Sequence, residues 1–287
     1  MAAHLACAAE LNYCCEVFAI RHGLTDYNAE RRLQGQLDVP LNDIGREQCR
    51  ECGKKLKSMI ESGKNFQIEV IYSSPLNRTR ESAEIIRQAA GIDCKIVLDG
   101  RIQEWNAGIL QGHLLDELPV LFPKEWGAWN RSRDPGFVFP RGESFQQRYN
   151  RVKEFFLEVT ARHTRQRIIV VTHGGVLDDL FRLVRNIPMN IKTNAPKLNA
   201  ELHIVKAHTS KARTMPLMAE DNPSEDCWND SPSASLTTSL TEAHPSESPE
   251  ITWEIVRWGK MSKNDQRLAG KLEETPIDIS LRAIEYA

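Results

Sequence analysis

The chain of 287 residues is long enough for one domain with a substantial core, and its 41% hydrophobic and 26% charged residues are ordinary for a globular protein. The formal net charge of -2 is unevenly spread, because residues 209–250 hold two basic and eight acidic residues and the remainder carries +4. That balance excludes the strongly basic surface typical of nucleic-acid binding, although it suits small anionic ligands. No apolar run reaches the length of a membrane helix, and the first 20 residues lack the basic start of a signal peptide, so we expect a cytoplasmic protein with no membrane contact.

Short strand-like runs alternate with longer helical segments, a pattern typical of a parallel sheet with helices on both faces. We predict strands at 16–20, 68–72, 95–98, 167–171, 201–205 and 251–256. Helices are predicted at 77–90, from Ser144, where a Ser-Phe-Gln-Gln start fits a capping box, and from Gly175 to about 185. The predicted fold class is α/β: a three-layer αβα sandwich with a mostly parallel sheet.

A further helix is predicted between the first two strands. Its apolar face follows a four-residue spacing through Ile44, Gln48, Cys52, Leu56 and Ile60. Gly63 is expected to end it.

Two segments depart from the alternation of strands and helices. Residues from about 105 to 141 combine glycine and proline with aromatic side chains, and we interpret them as a helical lid. Residues 219–250 hold seven serines, three threonines and four prolines, which predicts a disordered acidic insertion over 209–250 that is available for contact with another protein. The predicted plan is an N-terminal extension (1–14), a main domain (15–208), the insertion, a final strand (251–262) and a C-terminal tail (263–287).

Three predicted strands end in turns that carry basic or imidazole side chains, at 20–23, 72–78 and 171–175. Because the carboxyl ends of parallel strands meet at one edge of a sheet, we expect two histidines and two arginines to converge there. Arginine offers a planar fork of donors that matches phosphate oxygens, and a neutral imidazole is a nucleophile toward phosphorus. The turn glycines let a ligand approach the backbone and the N-terminus of the following helix. The pattern therefore predicts a phosphate site.

Each of these charged residues also has a simpler interpretation. Arg78 is placed to pair with Glu81 or Glu84 on a helix surface. Glu104 is placed to pair with Arg101 at the surface. The two acids that follow His173 on a helix, Asp178 and Asp179, are interpreted as capping or solvating that helix.

Several blocks in a fixed order give the chain a specific resemblance to a known family. They are residues 21–45, which begin Arg-His-Gly, then 73–83, 104–108 with Gly112, 142–144, and 171–175. In these blocks the chain resembles the histidine phosphatase superfamily, also called the phosphoglycerate mutase-like family, over roughly residues 15–207. Leu24 and Tyr27 depart from the family pattern, which usually has Glu and Trp there, but neither position is an expected phosphate ligand.

The resemblance implies a role for each matching residue. His22 is expected to be the nucleophile that becomes phosphohistidine, and Glu104 the general acid that protonates the leaving alkoxide and then the base that activates water. Arg21, Arg78 and His173 are expected to stabilise charge on the transferring phosphoryl group and thus to share in catalysis. The residues expected to bind the phosphoryl group or the substrate are Arg21, Asn28, Gln34, Gly35, Arg78, His173 and Gly174. The resemblance implies no metal ion and no cofactor.

The implied activity is metal-independent hydrolysis of a small phosphorylated metabolite, with phosphoglycerate mutase as the alternative. Mutases of this family that use a bisphosphorylated cofactor typically carry a long, proline-rich insertion with an Arg-Arg pair before the second histidine, and this chain lacks one. Three lid arginines, Arg131, Arg133 and Arg141, are candidates for gripping a second anionic group. A non-catalytic regulatory protein is disfavoured by the intact set of site residues, and a metal-dependent hydrolase by the absence of a His/carboxylate cluster with ligand spacing. The sequence assigns neither a substrate nor an oligomeric state.

Overall fold

The computed structural model describes residues 13–63, 66–132, 134–209 and 251–259. The predicted insertion from residue 210 onward, the predicted C-terminal tail, residues 1–12 of the N-terminal extension and Arg133 lie outside the described residues. Within the described part, the strands are β1 (Cys14–Arg21), β2 (Val70–Ser73), β3 (Ile96–Leu98), β4 (Arg167–Thr172), β5 (Leu202–Thr209) and β6 (Ile251–Trp258).

These strands form one sheet in the order β3-β2-β4-β1-β5-β6. The first four are parallel to one another, while β5 runs antiparallel to β1 and β6 antiparallel to β5. The predicted mostly parallel sheet is confirmed, and the central position of β1 and β4 places the ends of both strands side by side at one edge.

Seven α-helices connect or cover the described strands. They are α1 (Asp26–Ala29), α2 (Asp43–Ser62), α3 (Asn77–Ala90), α4 (Leu118–Leu121), α5 (Pro123–Gly127), α6 (Phe145–Arg162) and α7 (Gly174–Arg185). The capping box predicted at Ser144 is present, since its side chain accepts from the N–H of Gln147 while Gln147 accepts from the N–H of Ser144.

Two hydrophobic cores lie on opposite faces of the sheet. Successive side chains of a strand point to opposite faces, so Val17 and Ala19 of β1 pack against α6 and α7, whereas Phe18 and Ile20 pack against α2 and α3. All four of these side chains are at most 2% exposed. The predicted three-layer αβα arrangement is confirmed.

The predicted apolar face of α2 is wrong at its first residue, because Ile44 is 61% exposed. The buried residues of the helix are instead Gly45, Cys49, Cys52, Gly53 and Leu56. A spacing of four residues drifts around a helix that has 3.6 residues per turn, and the true stripe alternates steps of three and four. Gly63 ends the helix as predicted.

The lid has a small core of its own, separate from those of the sheet. Its fully buried members include Trp105, Leu110, Leu118 and Phe139, and the rings of Trp105 and Phe139 meet edge to face with centroids 4.6 Å apart. The predicted lid is therefore built from the short helices α4 and α5 and from tight turns packed on aromatic rings. None of the helices in the described ranges is both long and apolar enough to cross a membrane.

Candidate active site

The register between β1 and β4 brings the two predicted histidines together. Arg21 pairs with Thr172, so His22 and His173 each leave the sheet one residue later at the same edge. Their ring centroids lie 5.3 Å apart, and both side chains are buried. The convergence that the sequence predicts thus arises from two adjacent parallel strands that end at the same level.

The backbone around His22 fixes the tautomer of its imidazole. Nδ1 of His22 lies 2.7 Å from the carbonyl oxygen of Gly23, and because a carbonyl only accepts, Nδ1 carries the proton. Nε2 is then the nitrogen with the free electron pair. Burial, together with the guanidinium groups of Arg21 and Arg78, lowers the pKa of His22 well below its ordinary value. The ring is therefore neutral and nucleophilic near neutral pH.

His173 stands at the N-cap of α7 and is wholly buried. Its Nε2 lies 2.9 Å from the hydroxyl oxygen of Ser74, and its Nδ1 has no partner among the described residues. Burial and the nearby Arg78 lower the pKa of His173 well below its ordinary value. Ser74 lies inside the block that contains Arg78, but nothing in the sequence marks it as a partner of His173.

Arg78 is held inside the protein by two backbone carbonyls. Its Nη1 donates to Leu37 at 2.7 Å and its Nη2 to Gly35 at 2.6 Å, while its Nε is buried without a partner among the described residues. Gly35 adopts a φ of +53°, which turns its carbonyl toward the arginine at little steric cost. Burial lowers the pKa of Arg78 to about 10, so it remains a cation. Pairing with Glu81 or Glu84 is wrong, because those carboxylates bind other arginines.

Arg21 is half-buried at the end of β1. Its Nη1 donates to the carbonyl of Lys197 at 2.7 Å, and its Nε is buried with no partner among the described residues. Nε lies 3.5 Å from the point where a β-carbon on Gly174 would stand, so it is beside the N-terminus of α7. Arg21 and the backbone of that helix therefore face the same space.

Glu104 reaches the same helix N-terminus from the opposite side. Its Oε2 accepts from the N–H of Gly175 at 3.1 Å, and its Oε1 accepts from the N–H of Trp105 at 2.7 Å. Its carbonyl is fixed by Gln36 Nε2 at 3.0 Å and by Arg151 Nη2 at 3.1 Å. The carboxyl is thus aimed by backbone donors, and Arg151, which no local sequence signal marks, supports the turn that carries it.

The surface pairing of Glu104 with Arg101 is wrong. Arg101 instead binds Asp99, with Nη2 to Oδ2 at 2.7 Å, and Glu158, with Nη1 to Oε2 at 2.5 Å. The Glu104 carboxyl is therefore turned toward the N-terminus of α7, the helix that follows His173, rather than toward the surface ion pairs of Arg101.

The remaining predicted substrate residues surround this centre. Asn28 is half-buried, and its side-chain Oδ1 accepts from the Thr25 hydroxyl at 3.1 Å and from Asn199 Nδ2 at 3.4 Å. Gln34 is buried, and its Oε1 has no partner among the described residues. Gly35 shapes the loop that holds Arg78, and Gly174 is the first residue of α7.

The segment between α7 and β5 closes the site behind the nucleophile. Asn199 Nδ2 donates to the carbonyl of His22 at 3.0 Å, and the N–H of Ala200 donates to the carbonyl of Arg21 at 3.0 Å. Lys197 supplies the carbonyl that receives Arg21. None of these contacts is marked in the sequence, because they join residues more than 170 positions apart.

Asp178 anchors that segment, and the interpretation of Asp178 and Asp179 as capping or solvating acids is wrong. Asp178 Oδ1 accepts from Lys197 Nζ at 2.7 Å and from the Thr193 hydroxyl, while Oδ2 accepts from Arg182 Nε at 3.0 Å. Asp179 is wholly buried and paired with Arg148. Asp179 thus faces α6, whereas Asp178 faces the segment between α7 and β5.

The described lid arginines lie apart from the buried group formed by the two histidines and Arg78. Arg131 and Arg141 are exposed, and Arg133 lies outside the described residues. Among the residues that the structure describes, no three His, Cys, Asp or Glu side chains are grouped so as to hold a metal ion.

Comparisons with known proteins identify a family for the chain. The profile of the histidine phosphatase superfamily (branch 1) matches residues 17–217. The chain is 35% identical over 170 residues to phosphoglycerate mutase-like protein 4 of Arabidopsis thaliana, covering 59% of this chain and 71% of that protein. It is 36% identical over 176 residues to the probable phosphoglycerate mutase GpmB of Escherichia coli O1:K1 / APEC, covering 60% and 76%.

A solved structure extends the likeness to three dimensions. YhfR of Bacillus stearothermophilus superimposes with a TM-score of 0.59 at 29% identity, covering 67% of this chain and 90% of that one. This chain belongs to the histidine phosphatase superfamily, branch 1.

Proposed function

We propose that the protein is a phosphatase that hydrolyses the monoester of a small phosphorylated metabolite through a phosphohistidine on His22. The observation that carries the proposal is a set of buried atoms with no partner among the described residues: Arg21 Nε, Arg78 Nε and His173 Nδ1. They belong to the two arginines whose charges act on His22 and to the histidine whose ring centroid lies 5.3 Å from that of His22. A buried donor left unpaired costs about 1–3 kcal/mol. A phosphoryl group offers acceptor oxygens to such donors, which supports phosphate as the ligand.

In the first step, Nε2 of His22 attacks phosphorus. The P–N bond forms as the bond from phosphorus to the ester oxygen breaks, and Glu104 gives its proton to the departing oxygen. Arg21, Arg78 and the N–H groups at the start of α7 stabilise the charge on the three remaining phosphoryl oxygens. The Nδ1–H of His22, held by the carbonyl of Gly23, keeps the ring oriented throughout.

In the second step, water replaces the alcohol. Glu104, now a carboxylate, takes a proton from the water as its oxygen bonds to phosphorus and the P–N bond breaks. Inorganic phosphate leaves and His22 returns to its neutral form. The two backbone N–H groups that hold Glu104 keep its position the same in both steps.

Phosphoglycerate mutase is the second candidate, and the names of the two relatives favour it. A mutase must retain the phosphorylated intermediate and return the phosphoryl group to a second oxygen of the substrate. The chain lacks the proline-rich insertion with an Arg-Arg pair that the family's cofactor-dependent mutases carry, and the described lid arginines are exposed rather than directed at the cluster. Hydrolysis therefore remains the first proposal.

One set of assays separates the candidates. We expect the protein to release p-nitrophenol from p-nitrophenyl phosphate in the presence of EDTA, and His22→Ala to abolish that release. Rapid acid-sensitive, base-stable phosphorylation of the wild-type protein but not of His22→Ala identifies the intermediate. Loss of activity in EDTA would overturn the metal-independent mechanism. Interconversion of 2- and 3-phosphoglycerate that outpaces phosphate release would establish the mutase instead.

A further inference from the structure

A buried ion pair between Arg148 of α6 and Asp179 of α7 has no part in the mechanism above. Arg148 Nε donates to Asp179 Oδ2 at 2.6 Å and Nη2 donates to Oδ1 at 2.9 Å. The side chains are 8% and 0% exposed. A pair this deeply buried is weak evidence for stability, because removing both charges from water offsets most of their attraction. Its position therefore calls for another explanation.

The third nitrogen of the guanidinium faces the general acid. A β-carbon built on Gly175 would lie 2.8 Å from Arg148 Nη1 and 2.3 Å from Glu104 Oε1. Both distances start at one point, so Nη1 and Oε1 are about 5 Å apart or less, within the range where opposite charges interact strongly. Glycine at 175 leaves no side chain between them, and its N–H binds Glu104 Oε2.

Asp179 limits how closely the Arg148 guanidinium approaches Glu104. Its carboxylate occupies two of the three guanidinium nitrogens in a planar fork, which fixes the orientation of the group. Without that charge, Arg148 would be a buried cation whose nearest available carboxylate is Glu104. A direct ion pair would then draw the Glu104 carboxyl away from the N–H groups of Trp105 and Gly175 that aim it.

We propose that Arg148 and Asp179 form a positioning pair for Glu104, in which Asp179 restrains the Arg148 cation so that the Glu104 carboxyl stays on the N–H groups of Trp105 and Gly175. The proposal rests on the proposed function. Neither residue touches the reacting atoms. The pair acts only through the position of Glu104, and kcat/KM reports that position because it covers the step in which the leaving group departs.

This role makes a prediction that depends on the leaving group. p-Nitrophenolate departs without a proton, whereas the alkoxide of 4-nitrobenzyl phosphate, an ester of similar size, requires one. We expect Asp179→Asn to lower kcat/KM for 4-nitrobenzyl phosphate at least about tenfold more than for p-nitrophenyl phosphate. Arg148→Lys keeps the charge balance but loses the fork, so a smaller loss with the same selectivity is expected.

The control is the double variant Arg148→Met with Asp179→Leu. It removes the cation together with its partner and replaces both by apolar side chains, an exchange that buried ion pairs often tolerate. Because no cation then competes for Glu104, the ratio of the two substrates should return toward the wild-type value. Thermal unfolding of each variant shows which ones are folded, and Arg148→Lys alone decides the matter if Asp179→Asn does not fold.

The outcomes are distinct. An equal loss on both esters in the folded single variants would overturn the positioning role and leave the phosphatase assignment intact. Failure of the wild-type protein to hydrolyse either ester would overturn the proposed function, and the positioning role with it. A selective loss in the single variants that the double variant reverses would establish the pair.

Discussion

The hydroxyl oxygen of Ser74 lies 2.9 Å from Nε2 of His173, and this contact joins the ends of β2 and β4. The same oxygen accepts from the N–H of Leu76 at 3.4 Å, and its own hydrogen is available for a second partner. We expect that hydrogen to be donated to Nε2, which places the proton of the neutral ring on Nδ1, the nitrogen without a protein partner among the described residues. In that arrangement Ser74 makes His173 a donor toward the site.

Ser74→Ala removes that control of the tautomer. We expect kcat/KM to fall about tenfold, which corresponds to the roughly 1.4 kcal/mol of one buried hydrogen bond. Steady-state hydrolysis of p-nitrophenyl phosphate measures it. Ser58→Ala, which removes an exposed hydroxyl on α2, is the matched control and should leave the rate unchanged. Equal rates for the two variants would show that Ser74 does not orient His173.

Gly175→Ala places a methyl group against the general acid. Its β-carbon would lie 2.3 Å from Glu104 Oε1, so the carboxyl must move, and we expect kcat to fall by about 10²-fold. Gly100→Ala is the control, since no atom lies within 4 Å of its β-carbon and its φ is not positive. Measured kcat values for both variants decide this prediction, and an active Gly175→Ala would contradict the position given to Glu104.

Stability should fall on acidification because buried histidines are neutral in the folded state. Burial lowers the pKa of His203 to about 3, and the ring stacks on Trp258 with centroids 4.4 Å apart. The unfolded chain takes up this proton near pH 6.5, so the stabilisation is complete above that pH and is lost as the pH falls toward 3, at about 1.4 kcal/mol per unit. His22 and His173 contribute with the same sign.

His203→Phe isolates the contribution of one histidine. The variant keeps an aromatic contact with Trp258 and removes two ring nitrogens that have no partner among the described residues. Urea unfolding between pH 5 and 7.5 should show a slope of free energy against pH that is shallower by about 1.4 kcal/mol per unit below pH 6.5. An unchanged slope would mean that His203 does not titrate on unfolding.

Arg151 supports the turn that carries Glu104. Its Nη1 donates to the carbonyls of Arg101 and Gln103, both at 2.7 Å, and Nη2 donates to Glu104 at 3.1 Å and to a Glu143 oxygen at 2.5 Å. We expect Arg151→Ala to lower kcat by about 10- to 100-fold, with a smaller change in the inhibition constant for inorganic phosphate.

Arg162→Ala is the control for Arg151→Ala, since Arg162 lies at the exposed end of α6, the helix that also carries Arg151. It breaks a surface ion pair with Glu158, which is worth little, and full activity is expected. If Arg151→Ala weakens phosphate binding as strongly as it lowers kcat, its role is not specific to Glu104.

Asp178 should affect phosphate binding through the segment that it anchors. Although burial acts to raise the pKa of Asp178, Lys197 and Arg182 hold it below its ordinary range, so the carboxylate is ionised whenever Lys197 is bound to it. Asp178→Asn loosens Lys197, whose carbonyl receives Arg21, and we expect the inhibition constant for inorganic phosphate to rise about tenfold. Asp43→Asn, at the exposed start of α2, should leave it unchanged. Equal inhibition constants for Asp178→Asn and Asp43→Asn would show that Asp178 does not affect phosphate binding.

The sequence by itself determined the fold class and the main candidates for chemistry. Strands and helices have distinct hydrophobic periods, so the local sequence predicts the fold class. Three turns with His or Arg follow strands whose ends must meet in a parallel sheet, so the local sequence also predicts the candidate site residues. The ordered blocks then identified the family. Where local pattern misled, as with Ile44 on α2, the error came from a spacing that does not match 3.6 residues per turn.

Only the tertiary structure decided how those residues are held. Ser74, Arg151 and Lys197 reach the site across distances of up to 176 positions in the chain, and no local spacing encodes such contacts. The same reason explains why the expected surface position of Asp178 and Asp179 is wrong. An acid on a helix is expected at the surface, because its ionised form is costly to bury, and only the partners that folding brings to it, Arg148 and Lys197, offset that cost.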